Sequence, residues 1–492
     1  MSDISFDTIP SEIYSGGQFV EFSNVLANQG LPGQPHRILI VGQMLAAGAG
    51  QPLTVYNLTQ ASDATRLFGQ GSMLDRMAQF MFQAQNGYVP IDAIAVADNP
   101  AGNAAVGSIT FTAAPTAAGT YAPYIGMQSA AIAVIGAETP AQLATALVAE
   151  INSLPDMPVI ASVDGAAPAK VDLTCKWKGL TGNDIDIRQN YYVGSDQMPA
   201  GMTTTIVPMA GGTANPLIAP VIAAIGEKWY TTFVMPWTDT ANMEALVTEL
   251  TSRWGGVRQI DGMSVSAMRG SQGALAAYGP TVNSLDVIVV ENTGPSCTYE
   301  RAASVAGVMA YSRALDPARQ YDTLTLPGIG APAQGEGFNW EERNALLPDG
   351  ISTTKSHAGV VSIDRLVTTY QTNAAGASDR SYFAAETVTN LSYLRYSTRN
   401  MISTTFPRFK LAPDGTPVAQ GQDIALPKTV AAAMVALATQ WQTAGLVTSL
   451  DAYQAALLCI INPSDQNRID AVESPSLIGN FRTFADQIQF QL

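Results

Sequence analysis

From residue 36 onward the chain alternates short, mostly apolar runs with longer amphipathic stretches, and few architectures accommodate that rhythm. The run RILIV (37–41) suits a buried strand. In SMLDRMAQFMFQAQNG (72–87), Met73, Met77 and Phe80 share one helical stripe, Met81 lies beside it, and Gly87 stands where a helix stops. IDAIAVA (91–97) returns to a strand. After residue 210 the alternation resumes. PLIAPVIAAIG reads as a helix and WYTTFVMPW as a strand. TDTANMEALVTELTSRWGG reads as a helix with Asp239 or Thr240 at its N-cap and Gly255-Gly256 at its end. GMSVSAM, SQGALAAYG, LDVIVVE and TYERAASVAGVMAYSRA continue as strand, helix, strand and helix. Strands joined through helices pair in parallel, so this order predicts an α/β layer with a largely parallel sheet over residues 36–100 and 208–370.

Residues 101–207 break the rhythm. They are rich in Ala, Gly, Thr and Pro, with strand-like pieces (SITFTA, KVDLTCKWKG) and one helix that starts at Thr139 with Pro140 in its first turn. They read as an inserted α+β domain. Residues 327–351 read as a long loop with one short helix. Residues 371–484 differ again. SDRSYFAAETVTNLSYLRYSTRNMI is expected to be a helix capped by Ser378 or Asp379. In LPKTVAAAMVALATQWQTAG, Val430, Met434, Leu437 and Trp441 form one stripe, with Pro427 at the start and Gly445 at the end. LDAYQAALLCII reads as a third helix or a strand, and NPSDQNRIDAVESPSL as a polar stretch. At 492 residues the chain is too long for one ordinary core. The expected fold class is multidomain, α/β and α+β: the α/β body, the inserted domain, and a C-terminal α+β domain completed by strand arms from the chain ends.

Those ends carry the most pointed signal. In the N-terminal arm and linker (1–35), Ile4 and Phe6 alternate with Ser5 and Asp7, and Phe19, Val20 and Phe22 surround Glu21. SNVLANQGLPGQP (23–35) follows, a breaker-rich linker able to span at most ~40–45 Å. The last eight residues, ADQIQFQL (485–492), alternate Ile488, Phe490 and Leu492 with Gln489 and Gln491. A strand with nothing after it leaves a row of backbone groups unpaired. Such strands either pair within the subunit or add to a neighbour.

Composition excludes several function classes. Only 13% of residues are charged, against about 25% in average globular chains, a sparseness that suits a surface covered within a large assembly. A formal net charge of −15, with no basic run, argues against sequence-wide nucleic-acid binding. The acidic, polar start does not read as a signal peptide. The longest apolar run, around VAAAMVALA, is about half of the ~20 residues a membrane helix needs. Cys175, Cys297 and Cys459 are far apart and read as small hydrophobes in a reducing compartment. His36 and His357 lack nearby metal partners, and no HExxH, CxxC, G-x-S-x-G or Walker A pattern occurs. GIGAPA (328–333) matches G-x-G-x-x-A but contains Pro332 and runs into QGEG instead of a helix, so it reads as a loop. No catalytic, cofactor-binding or metal-binding residue is assigned.

At the C-terminal third the chain resembles contractile phage tail sheath proteins, closest to the Mu-like branch. The resemblance lies in GVVSIDRLVTTYQTNAAGASDRSYFAAETVTNLSYLRYSTRNMI, DPARQYDTLTLPGI, FNWEERNALLPDGI and NRIDAVESPSLIGNFRTFADQIQFQL. ISFDTIPSEI, GGQFVEF and GLTGNDIDIR extend it over nearly the whole length. SGGQFVEF departs from the Pro-Gly-Val-Tyr-like entry of many sheath proteins. The resemblance implies a structural polymer that assembles in the bacterial cytoplasm and ends in the virion tail. Its subunits would stack as six-fold rings around a tail tube, with tube, baseplate and tail-terminator or neck proteins as partners. No cofactor, direct nucleic-acid contact or membrane insertion is implied. Terminal arms of neighbours (here Ile4, Phe6, Phe19, Val20, Phe22, Ile488, Phe490 and Leu492) would add strands to a small sheet in the inner, tube-proximal domain (371–484). Contraction would be a rigid-body rearrangement of whole subunits. Arg395 and Arg399, one helical turn apart, are the tube-facing candidates, with surface salt bridging as their alternative role. The alternatives are the sheath of a phage-tail-like bacteriocin or related injection machine and, in another class, a nucleotide- or cofactor-dependent α/β enzyme.

Overall fold

All five apolar runs that alternate with helices become parallel strands of one sheet. The computed structural model describes residues 14–18, 20, 30–192, 196–419 and 421–491. They form two units, Pro35–Ser392 with Asn480–Leu492, and Met1–Gln34 with Tyr393–Gly479.

In the first unit the sheet has eight strands, in the order Val360–Arg365, Ile351–His357, Val287–Glu291, Met263–Met268, Thr232–Val234, Ile38–Gln43, Ile91–Val96, Val55–Leu58. The six inner strands run parallel, and the two at the edges are antiparallel to their neighbours. Every residue of Ile38–Gln43 and of Ile91–Val96 is buried, as expected for strands covered on both faces. Ile38 and Ile40 point into one core, with Met73, Met77 and Ala302; Leu39 and Val41 point into the other, with Val221, Leu246 and Leu275. The helix Thr298–Leu315 is buried along nearly its whole length. Gly307 lets it approach the helix Met73–Gln85, because a Cβ there would lie 2.7 Å from the Ala84 Cβ. Asp239 caps the helix Thr240–Trp254, its side chain accepting from the Asn242 N–H.

Residues 104–210 add a four-stranded antiparallel sheet, ordered Thr203–Ala210, Ala104–Ala113, Lys170–Lys178, Val159–Val163. Alternate residues Val171, Leu173, Cys175 and Trp177 are buried, on the side covered by the helix Pro140–Ser153. Thr139 and Gln142 form a capping box at the start of that helix. Trp177 meets Tyr299 of the buried helix edge-on, with ring centroids 5.5 Å apart, so this layer is continuous with the body.

His36, just ahead of the first strand, places Nδ1 3.4 Å from Thr231 Oγ1. Burial, helped by the charge of Arg313, pushes the imidazole down to about 3. The sign follows from proton binding. Above the ordinary value near 6.5 both folded and unfolded forms are neutral and His36 contributes nothing. As pH falls from 6.5 towards 3, only the unfolded chain takes the proton, so stability drops by at most about 1.4 kcal/mol per pH unit. Unfolding free energies from denaturant titrations at pH 7 and pH 5 should therefore differ by roughly 2 kcal/mol more in the wild type than in His36→Asn.

In the second unit the helix Pro427–Thr443 buries Val430, Met434, Leu437 and Trp441, the stripe read from the sequence. Trp441 Nε1 donates to Ser397 Oγ at 2.9 Å and its ring meets Tyr453 edge-on. LDAYQAALLCII is both things in turn, the helix Leu450–Ala456 and then the strand Leu458–Asn462. Two expectations need correction. The helix expected to start at Ser378 or Asp379 starts at Ala385. Asp379 is occupied instead by Tyr370 Oη at 2.8 Å and by the Ser381 N–H at 2.8 Å, which hold 378–384 as a loop. The stretch read as polar contains the strand Asp465–Val472.

Candidate strand-exchange site

The unexpected strand makes a hairpin with Leu458–Asn462. Leu458 pairs with Val472, Ile460 with Asp470, and Ile461 with Ile469. The turn is built by Asn462, whose Oδ1 accepts from the Ser464 and Asp465 N–H groups while its Nδ2 donates to Asp470 Oδ2. One face packs downward. Cys459 and Ile469 lie against the cluster of Ala425, Val430 and Met434, together with Phe406, Phe409 and Leu411. The other face exposes Leu458 at 54%, Ile460 at 43% and Val472 at 60%. Among the described residues the hairpin is a two-stranded sheet with no third strand. A lone hairpin is marginal in water, and both its edges present unpaired backbone groups. Beside it lies a groove of ≈ 660 Å³ lined by Leu411, Pro413, Pro427 and residues 459–463.

The last described residues are the candidate donor for such an edge. Residues 478–491 belong to no strand or helix. Ile488 is 83% and Phe490 79% exposed, and Phe481 and Phe484, which the period-2 reading passed over, are nearly as open. Four large apolar side chains exposed along one segment make it a candidate interaction surface. Leu492, Ile4, Phe6, Phe19 and Phe22 lie outside the described residues; Val20 is described and exposed. The final residues of the linker are held, because Tyr393 Oη donates to Pro32 O and Tyr396 Oη to Gly33 O, each at 3.0 Å. Arg395 and Arg399 lie one turn apart on the helix Ala385–Thr405, Arg399 exposed and Arg395 half-buried. No Asp or Glu occurs from residue 387 to 413, whereas Arg395, Arg399, Arg408 and Lys410 do.

The thiols are poorly suited to nucleophilic work. Burial pushes Cys175 up to about 12 and raises Cys297 well above its ordinary range. Among the described residues no group of His, Cys, Asp and Glu is arranged to hold a metal ion, and no helix is long and apolar enough to cross a membrane. GIGAPA lies in a loop, with the next helix beginning only at Trp340.

Comparison with known proteins places the chain. A family model described as the phage tail sheath protein central domain matches residues 211–369. The Mu-like prophage FluMu tail sheath protein of Haemophilus influenzae is 35% identical over 491 residues, covering 99% of this chain and 100% of that protein. Among solved structures, a chain of the anti-feeding prophage baseplate is similar in fold, with a TM-score of 0.50 at 10% identity over 98% of this chain and 100% of its own. The sheath tail protein of Desulfitobacterium hafniense aligns over 94% of this chain and 100% of its own, with a TM-score of 0.49 at 12% identity.

Proposed function

The chain belongs to the phage tail sheath family and is a structural protein, not an enzyme, and on that premise we propose that it polymerises by strand exchange into a contractile tube. The carrying observation is an open donor and an open acceptor on one chain: the exposed, unladdered tail around Ile488 and Phe490, and the two-stranded hairpin with bare edges. In the assembly the tail of one subunit adds a strand to a neighbour's hairpin, and the N-terminal arm does the same. Backbone pairing supplies affinity, and the alternating side chains fix register. Repetition through stacked six-fold rings multiplies a weak single contact. Contraction is then a rigid-body rearrangement of subunits from a kinetically trapped extended state, with the arms keeping the mesh connected, and it drives the tube through the host envelope for genome delivery. A bacteriocin-type or related injection particle would use the same physics.

The tube-facing surface is assigned to the C-terminal domain, where the stretch with bases and no acids lies. Baseplate and terminator proteins cap the polymer, and assembly takes place in the host cytoplasm. Electron microscopy of the purified chain tests the reading: tubes or stacked rings with six-fold symmetry are expected, and monomers alone at all concentrations would sink it. Arg395→Glu with Arg399→Glu should leave tube-free polymers intact while reducing assembly around purified tail tube several-fold. Unchanged loading onto the tube would remove these two residues from the interface.

A further inference from the structure

The C-terminal tail is open along its length but fastened at its root. Arg482 Nη1 donates to Asp322 Oδ1 at 3.2 Å, and the same guanidinium forms an ion pair with Glu386. The side chains of Arg482, Asp322 and Glu386 are only 18%, 21% and 4% exposed. Two weaker bonds flank the pair: Gln320 Nε2 donates to Phe481 O at 3.4 Å, and Asn480 Nδ2 to Glu386 Oε1 at 3.5 Å. Three distant parts of the chain therefore meet here: the loop after the buried helix, the first turn of Ala385–Thr405, and the tail. Burial disfavours the charge on Arg482, and Asp322 opposes that effect. Burial likewise raises Asp322, against the pull of Arg482. Removing a guanidinium from water to hold a segment that is then exposed from residue 483 to 491 makes physical sense if the place where the bare part begins matters. Immediately beyond it, Phe484, Ile488 and Phe490 are all exposed.

We propose that Arg482 is a positioning residue that, with Asp322 and Glu386, pins the root of the C-terminal arm to the body. The inference rests on the strand-exchange reading and adds where the exchanged segment starts. Only residues 483–492 are then available to a neighbour, a reach of at most ~33–36 Å. A fixed root confines the arm to a small volume and raises its effective concentration at one neighbour's edge. It also delivers any pull on the arm to the first turn of Ala385–Thr405 through Glu386.

The test combines a distance measurement on the monomer with an assembly assay. Spin labels are attached at Ala485→Cys and Val360→Cys in a Cys459→Ser background, since Cys175 and Cys297 are buried and Val360 is 53% exposed on the body. With Arg482 in place a single narrow distance distribution is expected. Arg482→Gln should at least double its width, and Arg482→Lys, which keeps the charge, should restore most of it. Without labels, Arg482→Gln should raise the critical concentration for polymerisation roughly tenfold, with Arg482→Lys intermediate. If Arg482→Gln does not fold, judged by circular dichroism, Asp322→Asn serves in its place with a smaller broadening in the same direction. An unchanged distance distribution overturns the pin, and so does an unchanged critical concentration despite a broadened one. Normal polymerisation without residues 485–492 would instead overturn strand exchange, leaving the monomer distances as a separate result.

Discussion

Removal of residues 485–492 is expected to leave a folded subunit that does not polymerise. Among its described residues, 485–491, the deleted segment contributes no strand ladder, and its large apolar side chains Ile488 and Phe490 are about four-fifths exposed. Its loss should therefore leave far-ultraviolet circular dichroism and the denaturation midpoint of the monomer unchanged. Against a neighbour's edge, burying two such side chains is worth roughly 3–6 kcal/mol before the cost of ordering the tail. Even about 3 kcal/mol net corresponds to more than a hundredfold in association. If, as proposed, every subunit donates its C-terminal arm, the deficit recurs at each junction, and the expected outcome is loss of tubes at any practical concentration. Sedimentation velocity and negative-stain microscopy read this directly. Tubes of normal length from the truncated chain would mean that the tail's partner is not another subunit, or that its strand is dispensable.

The contrast between what was legible in the sequence and what was not follows the range of the interactions. The parallel strands announce themselves because burial on both faces demands continuous apolar runs, as in Ile38–Gln43. The stripe from Val430 to Trp441 is legible because the helical period is local. The strand Asp465–Val472 was not, because only one side of it meets a core; Ile469 is its single side chain in that cluster, and the five other residues of 465–470 are polar. Its strand character is set by pairing with Leu458–Asn462, which no single segment encodes. The start of Ala385–Thr405 was misplaced for a related reason. Asp379 has the chemistry of a cap, but Tyr370, nine residues earlier, engages it in a loop. At the candidate site the proposed donor shows as alternation over residues 488–492, while the proposed acceptor hairpin does not show in the sequence. Arg482 could not be singled out, since its partners Asp322 and Glu386 lie 160 and 96 positions away, 482 minus 322 and 482 minus 386.

The same limit applies to the buried charges of the body, where the second large effect is expected. Arg76 Nε donates to Glu300 Oε1 at 3.0 Å across 224 positions, with side chains 8% and 2% exposed. A rim contact to Asp156 at 3.2 Å completes the guanidinium's ion pairs. Burial pushes the Glu300 carboxyl up, against the pull of Arg76. Glu300 also accepts from the Cys297 N–H at 3.2 Å, at the start of the buried helix. Arg76→Met keeps an apolar side chain beside Phe80, over whose ring the guanidinium now sits, but leaves Glu300 buried without its cation. Breaking such a pair costs about 3–5 kcal/mol, because an uncompensated charge remains. Arg76→Met with Glu300→Gln keeps the hydrogen bond to the helix start and removes the charge, so it should recover about half of that loss. The pH dependence separates the two explanations for the single variant. With its folded-state value raised further, Glu300 disfavours folding only where the unfolded chain is ionised. The stability of Arg76→Met should thus be least impaired near pH 4.5 and should fall as pH rises towards 7. The double variant should lack that slope. A slope shared by both variants would place the loss in packing around Phe80 and not in the stranded carboxylate.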